Sequence, residues 1–135
     1  MKRHALTVLA YIVATFVTQA ISHFAVNADH YATIQHIRKE PIFQFGILAM
    51  IIQGILLSVL YAKVTNTHRS IKSAVGFSWV MGGFLVSYMA FAEAAKYTVP
   101  SVTSWVVVEV AASFIQFTVF GILLGLVYRD RRQGS

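Results

Sequence analysis

Residues 102 to 128 read VTSWVVVEVAASFIQFTVFGILLGLVY, an apolar segment in which Glu109 is the only charged side chain. An α-helix rises about 1.5 Å per residue, so this segment is long enough to cross the roughly 30 Å hydrocarbon core of a bilayer. Backbone polar groups cannot be left unpaired in lipid, and a helix pairs them internally. The segment therefore predicts a transmembrane helix.

Three further segments, 6–26, 42–61 and 74–92, have the same apolar character. With 135 residues, 57% of them hydrophobic and 12% charged, the chain has room for one bundle and for no separate soluble domain. The sequence predicts a single all-α membrane domain, 1–135, with four transmembrane helices running up, down, up and down. The first segment has some features of a cleaved signal peptide, but its apolar run continues to Val26, which favours an uncleaved span.

The basic residues predict the orientation of the chain in the membrane. Eight of the 11 Lys and Arg side chains lie at the two termini or between the second and third spans. By the positive-inside rule, we expect both termini and the 62–73 loop to be cytoplasmic in a multi-pass protein of the cell (inner) membrane. The 27–41 and 93–101 loops are then outside. Because these charges follow topology and form no basic helix face, a nucleic-acid partner is not expected.

The chain has no cysteine, which excludes disulfides, thiolate metal sites and cysteine nucleophiles. The histidines His23, His30 and His36 are spaced by seven and six residues, which does not put all three on one helix face, so no metal site is predicted. No motif is specific enough to identify catalytic residues or a cofactor.

The connection between the first two spans predicts one additional element. Residues 27 to 40 are amphipathic enough to form a short helix lying at the membrane interface. Its apolar side chains, Tyr31, Ile34 and Ile37, are expected to face the lipid or the bundle.

Small residues indicate where helices approach closely. The third span carries a stripe of them, formed by Ser73, Gly76, Gly83, Ser87, Ala90 and Ala94, and the fourth carries a GxxxG pair, Gly121 and Gly125. Either feature is compatible with contacts inside one chain or with a homo-oligomer or a partner membrane subunit. The lipid bilayer is the one partner that the composition requires.

Polar side chains recur at helical spacing on the first and fourth spans. They are Thr15, Thr18, Gln19, Ser22 and His23 on the first, and Glu109, Ser113 and Gln116 on the fourth. An unpaired polar group in lipid costs on the order of one to several kcal/mol, so both stripes are expected to face the bundle interior. Gln53 and Gln116 are expected to form hydrogen bonds between helices.

Depth along the helices predicts a polar pocket in the outer half. His23, Gln44, Glu93 and Glu109 fall at similar heights, and the pocket is expected between the first, third and fourth spans. The candidate ligand-binding residues are Glu109, His23, Gln19, Glu93, Ser113, Gln116 and Gln44. Glu109 is the leading candidate because an intramembrane carboxylate is costly unless it is paired or protonated. Glu109 could carry protons, act as an acid or base, or bind a metal ion with His23 and Glu93. Alternatively, it could only dock helices through a hydrogen bond to His23, Gln19 or Lys96. Glu93 and Lys96 are expected to form an ion pair at the helix end.

Three functions are compatible with these features. The leading hypothesis is binding or transport of a small molecule or ion at the polar pocket. The second is a membrane-embedded enzyme acting on a lipid or quinone-like substrate, which requires Glu109 and His23 to lie within about 3 Å of each other, directly or through one water. The third is an accessory subunit of a larger membrane complex.

Overall fold

A computed structural model describes residues 1–36, 38, 40–65 and 69–129, and this part of the chain is helical without strands. The helices are α1 (Lys2–Ile21), α2 (Ala28–Ala32), α3 (Phe43–Val64), α4 (Ile71–Val86), α5 (Glu93–Lys96) and α6 (Val102–Tyr128). Four continuous helical segments are long and apolar enough to cross a membrane: Lys2–Val26, Phe43–Val64, Ile71–Lys96 and Val102–Tyr128. The predicted all-α, four-helix membrane fold is confirmed, and the chain is a multi-pass membrane protein.

Two of the spans end in π-helical turns. The first span continues α1 through the π segment Ser22–Val26, and the third joins α4 to α5 through the π segment Ser87–Ala92. Both π segments lie at the end of the bundle that carries α2, named here the α2 end. The opposite end, with both termini, is named the terminal end. Such π turns often occur at functional sites, so they direct attention to the α2 end.

The four long helices are arranged in the spatial order α3, α1, α6, α4. Helices α1 and α6 form the central pair, with α3 packed on α1 and α4 packed on α6. Helices α3 and α4 have few close contacts, one of which is between Tyr61 and Phe77 toward the terminal end, with ring centroids 5.1 Å apart. Toward the α2 end, a cavity lies between them.

Glycines bring α4 and α6 into close contact. A Cβ atom built on Gly121 or Gly125 would lie 2.7 Å from the Cα atoms of Val75 and Ile71, respectively. The Ser78 hydroxyl donates a hydrogen bond of 2.6 Å to the Phe117 carbonyl in the same interface. The GxxxG pair thus makes a contact within the chain. These two glycines are covered and offer no surface to a partner helix.

The helix face with which α4 packs differs from the predicted stripe. Its buried residues are Ala74, Ser78 and Gly82. Gly76 and Gly83 are exposed, and a Cβ atom added to either meets nothing within 4 Å. The stripe through Gly76 and Gly83 was therefore the wrong packing face inside the chain. Of that stripe Ala90 is fully buried.

The contact between α1 and α3 lies toward the terminal end. The backbone of Val8 passes 3.2 Å from a Cβ position on Gly54, and the His4 ring nitrogen Nδ1 lies 2.7 Å from the Ser58 hydroxyl. Tyr61 and Tyr128 are buried beside this contact, with ring centroids 5.0 Å apart. The core at the terminal end is therefore densely packed and partly aromatic.

The connection after the first span folds back onto the bundle. It forms the short helix α2 and buries Tyr31 and Ile34 against Trp105 of α6. These two side chains thus face the bundle, whereas Ile37 lies outside the described residues. The fold of this connection decides the geometry of the candidate site.

Candidate functional site

A cavity of about 430 Å³ occupies the half of the bundle nearer the α2 end. All four long helices contribute to its wall. Most of the lining is apolar, and its polar side chains are Tyr11, Thr15, Gln19, His23, Gln53, Ser113 and Gln116. The second span, as α3, forms one wall, although the pocket was expected between the other three helices.

The cavity exists because α3 stands away from the bundle near the α2 end. Every residue from Pro41 to Ala49 is exposed, including Phe43, Gly46 and Ile47, which line the cavity. Helix α3 contacts α1 only farther down, around Gly54, and it barely contacts α4. The gap beside α3 therefore opens the cavity sideways, toward the region that the membrane occupies.

Hydrogen bonds between helices organise the polar wall. The Gln19 amide donates to Gln116 at 2.7 Å, and the Gln116 amide donates to the Thr15 hydroxyl at 2.9 Å. Deeper in the cavity, the Tyr11 hydroxyl donates to the Gln53 side-chain oxygen at 2.7 Å. The prediction that Gln53 and Gln116 bond across helices is confirmed.

This wall retains unused hydrogen-bonding groups. The amide nitrogen of Gln53 and the hydroxyl of Ser113 have no hydrogen-bond partner among the described residues. Unpaired polar groups facing an apolar space are costly. They are therefore the groups that an occupant of the cavity can satisfy.

Glu109 lies behind this cavity, not in its wall. Its side chain is 4% exposed, and its Oε1 atom accepts a hydrogen bond of 2.7 Å from the Tyr31 hydroxyl. The pKa of Tyr31 is raised well above its usual range. The largest cause is burial of the phenol, and the next is its hydrogen bond to Glu109. The phenol consequently keeps its proton and remains a donor to the carboxylate.

His23 contacts the face of the same tyrosine ring. Its ring stacks on Tyr31 with centroids 3.7 Å apart and an angle of 11° between the planes. Its Nδ1 atom lies 3.0 Å from the Gln19 carbonyl oxygen, which can only accept, so Nδ1 carries the hydrogen. In the neutral ring, Nε2 is then a hydrogen-bond acceptor at the α2 end of the cavity.

The predicted site residues separate into two groups. His23, Gln19, Ser113 and Gln116 line the cavity. Glu109 and Glu93 lie near each other outside the lining, close enough to interact electrostatically. Glu109 and His23 both contact Tyr31, Glu109 at its hydroxyl and His23 at its ring face, and no hydrogen bond joins Glu109 to His23 among the described residues. The expected docking partners of Glu109, which were His23, Gln19 and Lys96, were wrong.

Two further expectations were wrong. Gln44 was placed by its height along the helix, which was expected to match that of His23, Glu93 and Glu109. On α3, however, Gln44 is exposed and does not line the cavity. The Glu93–Lys96 ion pair does not form. The Lys96 amine instead donates to the Tyr88 hydroxyl at 3.1 Å and lies 4.8 Å from the centroid of that ring.

Sequence reasoning missed Tyr11 and Tyr31 as site residues. The spacing of the polar stripe could have identified Tyr11, because positions 11, 15, 19 and 23 lie on one face of the helix at intervals of four. Tyr31 has no such signal. It reaches Glu109 because the connection folds back over α6, which periodicity within a helix does not report.

The arrangement is suited to neutral hydrogen bonding beside an apolar surface. Among the described residues there is no group of three or more His, Asp or Glu side chains that could hold a metal ion. The nearby carboxylate is occupied by Tyr31 and separated from the cavity. No protein-family model, no curated protein and no solved structure matches the chain.

Proposed function

We propose that the protein binds, and in doing so can carry, a small lipophilic molecule that enters the cavity sideways from the bilayer. The observation that carries this proposal is the gap beside α3, where apolar walls and a hydrogen-bonding wall face each other. A volume of about 430 Å³ falls within the range of small-molecule sites.

The lining itself suits a lipophilic molecule with a polar group. Its apolar walls provide dispersion contacts, and the amide nitrogen of Gln53 can donate a hydrogen bond. A lipophilic molecule supplies the contacts, and its polar atoms supply the hydrogen bonds. An ion is less suited, because His23 and Tyr11 are the only titratable side chains among the described residues of the lining.

We infer the orientation from charge. The terminal end carries Lys2, Arg3, Lys63, Arg69 and Lys72, which favours a cytoplasmic position for both termini. The cavity then opens in the outer half of the cell (inner) membrane. A molecule entering there comes from the outer leaflet.

Occupancy can be tested with two glycines. Gly46 lines the cavity and Gly83 lies on the exposed face of α4, and a Cβ atom at either position meets nothing within 4 Å. We expect Gly46→Leu to fill part of the cavity without a clash, while Gly83→Leu serves as the matched control. Native mass spectrometry of gently solubilised protein measures the occupancy by a co-purifying small molecule, and solvent extraction identifies the molecule.

The proposal predicts a bound molecule on the wild-type protein and on Gly83→Leu, with occupancy on Gly46→Leu reduced at least several-fold. Equal occupancy of all three proteins, or no bound molecule on the wild type, would contradict it.

The two other hypotheses are less well supported. A partner helix, about 10 Å across with its side chains, needs more space than this cavity provides, which disfavours a partner helix as the occupant of the cavity. The enzyme hypothesis requires Glu109 and His23 to exchange a proton directly or through one water. Among the described residues no hydrogen bond joins the two, and the Glu109 carboxyl bonds to the Tyr31 hydroxyl instead, which disfavours that exchange.

A further inference from the structure

We propose that the polar group of the bound molecule is uncharged and carries a hydrogen-bond acceptor, such as the carbonyl oxygen of an amide, ester or quinone, which the amide nitrogen of Gln53 binds. This inference rests on the proposed function and adds the chemical class of the ligand. Three features of the cavity support it: the depth of Gln53, the absence of a counter-ion in the lining, and the hydrogen-bonding state of each amide.

Gln53 lies deep in the membrane. Its partner Tyr11 precedes His23 by 12 residues on one helix, which places the Tyr11–Gln53 pair roughly 18 Å from His23 along the helix axis, away from the α2 end. Near the bilayer centre a charged group costs several kcal/mol unless it is paired. A ligand whose polar group reaches Gln53 is therefore favoured when that group is neutral.

Among the described residues of the lining, no charged side chain lies near Gln53. Glu109, the nearest intramembrane acid, is covered by Tyr31 and does not line the cavity. The basic side chain in the lining is His23, and it lies at the α2 end of the cavity, far from Gln53. Neither an ammonium nor a carboxylate head group therefore finds an opposite charge beside Gln53.

The free hydrogen-bonding group at Gln53 is a donor. The Gln53 oxygen accepts from Tyr11, which leaves the amide nitrogen of Gln53 to donate. The neighbouring Gln116 amide already uses its oxygen for Gln19 and its nitrogen for Thr15. Gln53 is thus the deep amide whose nitrogen makes no hydrogen bond among the described residues, and its complement is an acceptor such as a carbonyl oxygen.

The test uses three photoreactive probes with the same ten-carbon, diazirine-bearing tail and different heads. The heads are a neutral N-methylamide, a carboxylate and a trimethylammonium. Protein in lipid nanodiscs is irradiated with each probe at matched membrane concentration. Mass spectrometry of peptides then measures the labelling of α3 and α4. We expect the amide probe to label cavity residues at least tenfold more than either charged probe.

Substitution of Gln53 localises the effect. Gln53→Met removes the donor and is expected to reduce labelling by the amide probe about three- to tenfold, the equivalent of one hydrogen bond. Gln44→Met is the matched control on the same helix, and we expect no change from it. Because Gln53→Met leaves the Tyr11 hydroxyl without its acceptor, Tyr11→Phe combined with Gln53→Met provides a second variant whose fold does not depend on that bond.

The outcomes separate this inference from the proposed function. If all three probes label the cavity equally and Gly46→Leu blocks them, the cavity binds lipophilic molecules and the head-group inference is wrong. It is also wrong if neither Gln53 variant changes labelling by the amide probe. If no probe labels the cavity and Gly46→Leu has no effect, the proposed function itself fails.

Discussion

Tyr31 decides the local structure around the intramembrane acid. Its hydroxyl is the hydrogen-bond donor to Glu109, and its ring is the surface on which His23 stacks. Burial of a carboxylate without a hydrogen-bond donor destabilises the fold, whereas a charge-assisted hydrogen bond offsets much of that loss of free energy. The tyrosine therefore explains how Glu109 can be buried without lining the cavity.

Tyr31→Phe is expected to destabilise the protein by about 1–3 kcal/mol, because it keeps the ring and leaves Glu109 without its donor. The readout is tryptophan fluorescence during denaturation in detergent. Tyr97→Phe, at a half-exposed tyrosine outside this contact, is the control and should change stability by less than about 0.5 kcal/mol.

A double-mutant cycle isolates the Tyr31–Glu109 contact. Glu109→Met combined with Tyr31→Phe removes both partners, so the double variant should be destabilised less than the sum of the two single variants. Additive losses would show that the hydrogen bond contributes nothing to stability.

At the scale of helices, glycines determine which surfaces pack. Gly121 and Gly125 face the backbone of α4, while Gly76 and Gly83 of α4 face open space. Both sets looked alike in the sequence, because small residues occur on more than one face of α4 and their spacing does not say which face meets α6. The structure resolves this through Ala74, Ser78 and Gly82.

Gly121→Ala is expected to destabilise the bundle by about 1–3 kcal/mol, because its Cβ atom would lie 2.7 Å from the Cα atom of Val75 and would push α4 away. Gly76→Ala should be neutral or slightly stabilising, since alanine favours the helix and meets no atom. Thermal denaturation of the two variants measures the difference. Equal stability would contradict the packing described for α4 and α6.

The sequence predicted helices better than it predicted their rotation. Hydropathy identifies four spans because only a helix can pair its backbone in lipid. The polar stripes on α1 and α6 correctly predicted an inward-facing Gln116, which bonds to Gln19. Gln44 was misplaced because height along a helix says nothing about the direction of a side chain. Gln53, lower on the same helix, faces the cavity instead.

At the scale of the whole molecule, the order α3, α1, α6, α4 leaves α3 and α4 with few contacts, and Tyr61 and Phe77 join them toward the terminal end. Close glycine contacts hold α4 on α6 and the terminal half of α3 on α1. Near the α2 end, no such contact joins α3 to α4 among the described residues. The cavity is the result of this uneven packing, which no single span encodes.

The cysteine-free chain permits a direct test of orientation. Ser70→Cys and Thr98→Cys place one exposed thiol at the terminal end and one at the α2 end, respectively. With the termini cytoplasmic, a membrane-impermeant maleimide should label Thr98→Cys in intact cells and Ser70→Cys only after permeabilisation. The reverse pattern would place the cavity in the inner half of the membrane.

The separation of α3 from α4 beside the cavity is tested most directly by oxidation of paired cysteines in native membranes. A disulfide needs Cα atoms about 4.4–6.8 Å apart. Ile47→Cys with Val86→Cys spans the cavity, while Val8→Cys with Gly54→Cys bridges the close contact of α1 and α3. We predict rapid disulfide formation in the Val8 and Gly54 pair and little in the Ile47 and Val86 pair. Equally rapid formation in both pairs would show that α3 closes onto α4, and would contradict the account.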